Sequence, residues 1–260
     1  MPKEKLSIVK IGGNIIEDDV SLKSFLDIFS GLEGKKILVH GGGKRATSIA
    51  SKLGIESKMV NGRRITDAKT LEVITMVYGG LVNKNIVAQL QALNIDAIGL
   101  TGADANSIYS VKRPVKDIDY GFVGDVKKVN HQSVDKLIEA GFTPVFCAIT
   151  HDGHGQLLNT NADTITSQVA IGMSQIYETT IYYCFELNGV LNDINDKDSV
   201  IKHINSASYS TLLKQGIIAE GMLPKLENCF EALKNGVETI NMGNTSMLTK
   251  ENDNFTRITL

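Results

Sequence analysis

Short apolar runs rich in β-branched residues alternate with segments of helical spacing along most of the chain, and this alternation limits the possible folds more than any other feature. The runs predict strands. The segments between most of them repeat apolar residues with the 3.6-residue period of a helix. Strands that alternate with helices form a largely parallel sheet covered on both faces, so we predict an α/β fold.

The predicted strands span residues 6–11, 37–40, 95–100, 143–149, 179–184 and 237–241. The predicted helices span residues 21–30, 44–53, 67–93, 131–140, 161–174 and 222–235. Residues 108–129 and 150–158 are predicted hairpins, because polar residues and glycine interrupt them. In the longest helix, Gly79 and Gly80 indicate either close packing of another helix, for example at a subunit interface, or simply a weak or kinked helix.

Composition favours one compact unit, since 260 residues with 24 glycines and 4 prolines suggest tight turns rather than linkers. We therefore treat residues 1–260 as a single domain. A net charge of −2 with scattered basic residues argues against a nucleic-acid partner. No stretch approaches the ~18 apolar residues of a membrane span or forms a signal peptide, so we predict a cytoplasmic protein without a membrane partner.

The cysteines and the clustered histidines give no sign of a metal site. Cys147, Cys184 and Cys229 are far apart and form no C-x-x-C pair, which predicts buried thiols. His151 and His154 flank a glycine in a predicted turn with no third ligand nearby. We therefore predict no metal held by the protein itself.

Two glycine turns follow the first two predicted strands. The first is Lys10-Ile11-Gly12-Gly13-Asn14, and the second is His40-Gly41-Gly42-Gly43. Glycine lets the backbone approach an anion closely, and parallel strands bring such turns to one edge of the sheet. A dinucleotide site is disfavoured, because its glycines should follow the first strand and an acidic residue should lie about 20 residues later, where this chain has the basic stretch KMVNGRR.

Two lysines and an aspartate are candidates for phosphoryl transfer. Lys10 ends an apolar strand, where it either points into a cleft or extends to the surface, and Lys225 lies in the first turns of a predicted helix. Lysines stabilise the charge of a transferring phosphoryl group. Asn161 or a residue beside it can cap the helix that follows LLNT, which puts Asp163 in the first turn. This N-A-D segment is either a purely structural cap, or Asp163 is the acceptor that orients both lysines. Either Arg63 or Arg64 can clamp a substrate carboxylate.

Taken together, these motifs resemble the amino acid kinase family. The matching segments are K-I-G-G-N (10–14), V-H-G-G-G (39–43), N-G-x-R-I-T (61–66), L-N-x-N-A-D (158–163) and G-M-x-x-K (221–225). They occur in order from about residue 7 to residue 235. The third and fourth motifs are most similar to those of members that phosphorylate N-acetyl-L-glutamate in arginine biosynthesis.

The resemblance implies a three-layer αβα sandwich with two lobes, an acyl-glutamate lobe at about 1–178 and a nucleotide lobe at about 179–260. It implies ATP-dependent phosphorylation of the γ-carboxylate of N-acetyl-L-glutamate, with Mg²⁺ held mainly by the nucleotide phosphates. It also implies a homodimer formed through the helix that carries Gly79 and Gly80. Nine residues precede Lys10, so we expect neither the N-terminal helix that builds arginine-inhibited hexamers in some members nor inhibition by arginine.

Carried over to this chain, the resemblance assigns roles to individual residues. Lys10 and Lys225 would stabilise the phosphoryl group, and Asp163 would organise them. Gly42, Gly43, Arg64 and Asn159 would bind the acyl-glutamate. The residues expected to bind the nucleotide are Gly12, Gly13, Glu186, Leu187, Asn188, Gly189, Val190, Leu191, Ile217, Ile218 and Ala219.

The chain departs from the family pattern in two places. Phe185 and Glu186 stand where members usually have a small hydroxyl residue and an aspartate, which affects the expected adenine and ribose contacts. Phe255-Thr256-Arg257-Ile258 replaces the terminal G-T-x-I. Two alternatives remain: a kinase for another amino-acid carboxylate or a differently acylated glutamate, such as the N-succinyl compound, and a ligand-binding regulator without catalysis.

Overall fold

The structure, a computed structural model, describes residues 2–60, 63–218, 222–249 and 252–260. The strands are β1 (Glu4–Ile11), β2 (Lys35–His40), β3 (Met59–Val60), β4 (Arg63–Arg64), β5 (Ala97–Leu100), β6 (Ile108–Lys112), β7 (Gly124–Val129), β8 (Thr143–Cys147), β9 (Ile149–His151), β10 (Leu157–Asn159), β11 (Tyr177–Cys184), β12 (His203–Ile204), β13 (Thr239–Gly243) and β14 (Thr256–Ile258).

The helices are α1 (Gly13–Glu17), α2 (Asp19–Ser30), α3 (Gly43–Lys52), α4 (Ala68–Ile74), α5 (Asn83–Ala92), α6 (His131–Glu139), α7 (Ala162–Met173), α8 (Ser206–Lys214) and α9 (Leu223–Lys234). A π-helical segment, Thr75–Val82, joins α4 to α5. Short 3₁₀ turns occur at Asp104–Asn106 and Thr245–Leu248.

An eight-stranded sheet with the order β12-β14-β13-β11-β1-β2-β8-β5 forms the centre of the fold. Its pairings are parallel apart from that of β13 with β14. The chain runs from β1 to β2 on one side and later reaches β11 on the other. Such a reversal of strand order opens a crevice at the carboxyl ends of the strands, where α/β proteins bind ligands. Lys10 lies near the end of β1, at this crevice.

The predicted α/β fold with a mainly parallel sheet is confirmed, and the six predicted strands correspond to β1, β2, β5, β8, β11 and β13. Both predicted hairpins are also present, as the antiparallel pairs β6–β7 and β9–β10. The sequence did not predict β3, β4, β12, β14, α1 or α8. The four strands have 2 or 3 residues and α1 has 5, so none of these five elements is long enough for a periodic pattern to develop.

The predicted helix at 67–93 is present, but its middle turns are π-helical rather than α-helical. A side chain on Gly79 would meet Thr101 and Ile149 at ordinary contact distance, whereas one on Gly80 would meet nothing within 4 Å. Met76 and Leu81, on the same segment, are exposed. Within the described chain, then, Gly80 faces open space rather than another helix.

The core is formed by apolar side chains of the sheet and of the helices packed on it. Phe25, Phe29 and Phe146 are among its largest fully buried members. Cys147, Cys184 and Cys229 are free and buried, as predicted. In the part of the chain that the structure describes, no helix has the length and apolar character needed to cross a membrane.

The Lys36 side chain hydrogen-bonds carbonyl groups at the carboxyl end of α2, and we expect it to contribute strongly to the stability of the fold. Its Nζ donates to the carbonyl oxygens of Phe29, Ser30 and Leu32 at 2.9, 2.8 and 2.7 Å. Because the residue is buried, Lys36→Met keeps the apolar stem but removes the ammonium donor from all three carbonyl oxygens, of which Phe29 O still accepts the Leu32 N–H at 3.2 Å. We expect the free energy of unfolding to fall by about 2 kcal/mol. Urea denaturation measures the loss, and Lys23→Met, at an exposed position of α2, should change it by less than about 0.5 kcal/mol.

Candidate active site

The two glycine turns lie at the carboxyl ends of the adjacent strands β1 and β2. In the first turn, the Gly12 N–H donates to Cys184 O at 3.0 Å and ties the turn to β11. A side chain on Gly13 would meet nothing within 4 Å, so the backbone there is open on that side. In the second turn, Gly42 has φ +147° and a Cβ there would lie 3.0 Å from the Tyr78 ring, so the turn requires glycine.

Lys10 and Asp163 form an ion pair in the crevice, with Lys10 Nζ 2.8 Å from Asp163 Oδ1. Asp163 is held there by the start of α7, which Asn161 caps by accepting the Thr164 N–H, as the sequence predicted. Only 15% of the Lys10 side chain and 21% of the Asp163 side chain are exposed. The pair is therefore shielded from water on most sides and keeps a fixed geometry.

Lys225 approaches the same carboxylate from α9. It lines a narrow cavity together with Lys10, Asp163, Phe185 and Asn228. Lys225 Nζ lies 5.7 Å from the centroid of the Phe185 ring, within the range of a cation–π contact. The structure thus brings Lys10, Lys225 and Asp163 together, and the unusual Phe185 serves as a wall for the second lysine.

Asp163 is ionised at neutral pH. Burial raises the pKa of its carboxyl, but the charge of Lys10, the hydrogen bond with Lys10 and the charge of Lys225 outweigh burial, so the pKa lies below its ordinary value. A carboxylate that is ionised more readily in the folded state stabilises the fold above its ordinary pKa of ~3.9. This stabilisation disappears as the pH falls through the lowered pKa.

We expect Asp163→Asn to be less stable than the unmodified protein at pH 7. The difference should shrink as the pH falls below about 4, because both proteins then lack the carboxylate charge. Chemical denaturation as a function of pH measures both quantities. Asp27→Asn, at an exposed position of α2, is the control. A stability difference for Asp163→Asn that stays constant between about pH 2 and pH 7 would contradict this assignment.

Arg64 is the buried arginine of the pair at 63 and 64, with only 8% of the residue exposed. Its Nη2 donates to Gly43 O at 2.9 Å and to Thr47 Oγ1 at 2.8 Å, and its Nη1 donates to Ser57 Oγ at 2.7 Å. All three acceptors are uncharged. A buried guanidinium whose acceptors are neutral is suited to receive a ligand carboxylate.

A cleft of about 600 Å³ joins Arg64 to the lysine site. Its lining includes Gly43, Arg64 and Asn159 as well as Asp163 and Lys225. Asn159 Nδ2 donates to Thr66 Oγ1 at 3.0 Å, which fixes the orientation of the amide. The residues expected to bind an acyl-glutamate therefore lie in the same cleft as those expected to contact the phosphoryl group.

The residues expected to bind the nucleotide differ in their solvent exposure. Glu186 is exposed, and Leu187 and Asn188 are half-buried, just beyond β11. Gly189, Val190 and Leu191 are buried instead, and the Val190 N–H donates to Thr256 Oγ1 at 2.8 Å. Glycine at 189 has a packing reason, since a Cβ there would lie 2.6 Å from Thr256 Oγ1. Although Phe255-Thr256-Arg257-Ile258 differs from the family pattern, Thr256 of β14 thus packs against the loop at residues 189–191.

The other end of the expected nucleotide site is partly described. Ile217 is half-buried and Ile218 is buried. Ala219 lies outside the described residues, as do Asn61, Gly62 and Gly221 of the motifs.

Sequence reasoning missed several residues of the site. Tyr183 lines the narrow cavity, and its O–H donates to Asp163 O at 3.3 Å. Tyr78 packs on the second glycine turn and lines the cleft. Asn228 had a usable signal, because it follows Lys225 by three positions on a helix and so shares its face. Tyr78 and Tyr183 gave none, since each continues the apolar pattern of its own element.

No group of three His, Cys, Asp or Glu residues in the described ranges could hold a metal ion. Asp163 is already paired with Lys10. Magnesium that accompanies a nucleotide would therefore depend on the phosphates for its ligands, and it would supply further charge stabilisation there when bound.

An α/β protein that gathers two amines and a carboxylate beside glycine turns falls in the class of phosphotransferases, because a phosphoryl group in transit carries negative charge that the amines stabilise. The sequence narrows the class further, since residues 5–243 match the amino acid kinase family. The chain belongs to the amino acid kinase family, as its motifs indicated.

Three relatives that cover most of the chain are acetylglutamate kinases. The acetylglutamate kinase of Phocaeicola vulgatus is 59% identical over 238 residues, which cover 92% of this chain and 93% of the relative. That of Bacteroides fragilis is 57% identical over 238 residues, covering 92% and 91%. That of Methanopyrus kandleri is 33% identical over 235 residues, covering 89% and 92%.

Solved structures share the fold at much lower identity. N-acetylglutamate synthase from Neisseria gonorrhoeae, complexed with coenzyme A and N-acetyl-glutamate, has a TM-score of 0.82 and 18% identity; the match covers all of this chain and 60% of that one. Carbamate kinase from Giardia lamblia bound to AMP-PNP has a TM-score of 0.71 and 13% identity, with 100% and 99% coverage. At these identities the likeness establishes the fold alone.

Proposed function

We propose that the protein transfers the γ-phosphoryl group of ATP to the γ-carboxylate of N-acetyl-L-glutamate and so forms an acyl phosphate, the second step of arginine biosynthesis. One observation carries the proposal: Asp163 and Lys225 line both the cleft that contains Arg64 and the narrow cavity that contains Lys10. A carboxylate-binding end and a phosphoryl-stabilising end are thereby continuous. The high identity to acetylglutamate kinases over most of the chain supports the choice of substrate.

In the proposed reaction, an oxygen of the γ-carboxylate attacks the γ-phosphorus as the bond to the ADP oxygen breaks. The nucleophile is already ionised at neutral pH, so the step needs no general base. Asp163, with its lowered pKa, acts instead as an acceptor that orients Lys10 and Lys225. The two amines then stabilise negative charge on the equatorial oxygens of the phosphoryl group.

Arg64 would bind the α-carboxylate of the substrate through its planar fork, and Asn159 would hydrogen-bond nearby. Gly42 and Gly43 would bind the acyl-glutamate through the free N–H groups at the start of α3. Gly12 and Gly13 would approach the ATP phosphates. The remaining nucleotide contacts would come from Glu186, Leu187 and Asn188, with residues 189–191 and 217–219 shaping the pocket.

We propose two lobes, with the acyl-glutamate in residues 1–178 and the nucleotide in residues 179–260. We further propose that Mg²⁺ arrives with ATP and that the enzyme works in the cytoplasm as a homodimer insensitive to arginine. The exposed Met76 and Leu81 beside the open face of Gly80 support an interface on the π-helical segment. A hexamer by light scattering, or inhibition by sub-millimolar arginine, would contradict this assembly.

The activity is tested by incubating the protein with ATP, Mg²⁺ and a candidate acceptor, and by trapping the acyl phosphate with hydroxylamine. We expect hydroxamate to form with N-acetyl-L-glutamate and not with free glutamate. If no acyl-glutamate consumes ATP while ligands still bind, the protein is a regulator rather than a kinase.

Two further arginines favour a second candidate substrate, a glutamate whose acyl group ends in a carboxylate, such as the N-succinyl compound. Arg63 and Arg113 line the same cleft as Arg64. Arg113 Nε and Nη2 donate to Asp125 Oδ1 at 3.0 and 2.6 Å, while its buried Nη1 has no hydrogen-bond partner in the described part of the chain. If this substrate is used, Arg113→Met should lower kcat/KM for N-succinyl-glutamate by about tenfold more than for N-acetyl-glutamate.

A further inference from the structure

A buried hydrogen-bond network lies directly beside the second glycine turn and includes residues that have no role in the proposed reaction. His40 ends β2 immediately before Gly41, and Asn83 begins α5. Their exposed fractions are 0% and 1%. Two polar side chains this deeply buried need a full set of partners.

Two carbonyl groups fix the orientation of both side chains. His40 Nδ1 lies 2.8 Å from Gly41 O, and because a carbonyl oxygen only accepts, Nδ1 must carry the proton. Asn83 Nδ2 donates to Val145 O at 2.9 Å and to His40 Nε2 at 3.0 Å. Burial lowers the pKa of His40 to about 4, which keeps the ring neutral at pH 7. The His40 ring therefore donates a hydrogen bond from Nδ1 to Gly41 O in the glycine turn, and it accepts one at Nε2 from Asn83 at the start of α5.

In the described part of the structure, the Asn83 amide makes hydrogen bonds through Nδ2 but not through its oxygen. Asn83 Oδ1 is buried, and no hydrogen-bond partner for it exists among the described residues. The adjacent strand β5 makes room for it, since a Cβ on Gly99 would lie 1.8 Å from Asn83 Oδ1. A buried acceptor without a donor is unfavourable, which indicates that the amide is kept for the two bonds made by its Nδ2.

The π-helical segment connects Asn83 to Tyr78, which packs on Gly42 of the same glycine turn. The Asn83 N–H donates to Tyr78 O, a bond between residues five positions apart. Bonding of this kind brings residues five apart close to one helix face, and π segments are frequent at functional sites. Tyr78 packs against Gly42 from that face, with its ring 3.0 Å from the position of a Cβ. Tyr78 of the π-helical segment and Asn83 at the start of α5 thus each contact the same glycine turn.

We propose that His40 and Asn83 are positioning residues that hold the Gly42 and Gly43 amides in the geometry needed to bind the acyl-glutamate. The inference rests on the proposed function. It predicts that breaking the network affects acyl-glutamate binding specifically, because the turn at Gly12 and Gly13 is held separately through Cys184 O.

Asn83→Ala removes both hydrogen bonds while leaving the helix intact. We expect the KM for N-acetyl-L-glutamate to rise by about tenfold, and the KM for ATP to change by less than about twofold. Ile86→Val, at a buried position one turn further along α5, is the control for a general loss of stability and should leave both KM values unchanged. Equal rises in the two KM values, or the same effect in Ile86→Val, would overturn the proposal.

A second readout does not depend on activity. In ¹⁵N-labelled protein, the Gly42 and Gly43 amide resonances should shift in Asn83→Ala and stay in place in Ile86→Val. If the unmodified protein phosphorylates no acyl-glutamate but these resonances move as expected, the proposed function fails and the positioning role stands. If they do not move, the positioning role fails even in an active enzyme.

Discussion

Lys225→Met is expected to lower kcat by about 10²- to 10³-fold and to change the KM for either substrate by less than about threefold. The same result is expected for Lys10→Met. The reason is that each amine stabilises charge that spreads over the phosphoryl oxygens mainly in the transition state. Steady-state kinetics with both substrates varied separates the two parameters.

Matched controls exist on the same elements. Lys234→Met lies in the last turn of α9 and Lys5→Met lies on β1, and both positions are exposed. These variants should retain kcat within about twofold, since surface charges act weakly over distance in water. An unchanged kcat in Lys10→Met or Lys225→Met would remove that lysine from the mechanism.

Arg64→Met is expected to raise the KM for N-acetyl-L-glutamate by about 100-fold, which corresponds to roughly 3 kcal/mol of lost binding. Among the described residues the guanidinium has only neutral hydrogen-bond acceptors, so we expect the substrate carboxylate to add a charged partner. Arg64→Lys should recover only part of the affinity, because an ammonium group cannot form the two parallel hydrogen bonds of the fork.

Binding of N-acetyl-L-glutamate, measured by calorimetry, checks the effect of Arg64→Met directly. The exposed Arg45→Met on α3 is the control and should bind normally. Thermal unfolding must accompany the measurement, because Arg64 also holds Gly43 and Ser57. A variant that remains folded and binds the substrate with unchanged affinity would show that another group receives the carboxylate.

The sequence was sufficient to predict six of the eight strands of the central sheet and to single out Lys10, Lys225 and Asp163. Several strands were visible because buried parallel strands are nearly continuous apolar runs, as in β2 and β8. Asp163 was visible because Asn161 caps α7 and fixes the aspartate in its first turn. The charge of a transferring phosphoryl group was the reason for grouping Lys10 with Lys225, and the motif resemblance supported it; local patterns alone could not join residues more than 200 positions apart.

Other features could not be predicted because they depend on contacts between distant segments. The antiparallel direction of β14 is set by its pairing with β13, which leaves no local pattern. Gly79 and Gly80 indicated an unusual stretch of the long helix, but no local pattern specifies the π-helical hydrogen bonds of Thr75–Val82. Likewise, the chemistry of Arg63 and Arg64 is identical, and burial alone selects Arg64.

The most direct test of the central claim is a crystal structure of the protein with ADP, aluminium fluoride and N-acetyl-L-glutamate, since the fluoride group resembles the phosphoryl group in transit. We predict that the amines of Lys10 and Lys225 both lie within about 3.2 Å of its fluorine atoms. Asp163 should contact both lysines. A complex in which either amine points away from the fluoride group, or in which that group binds outside the cleft, would contradict the account.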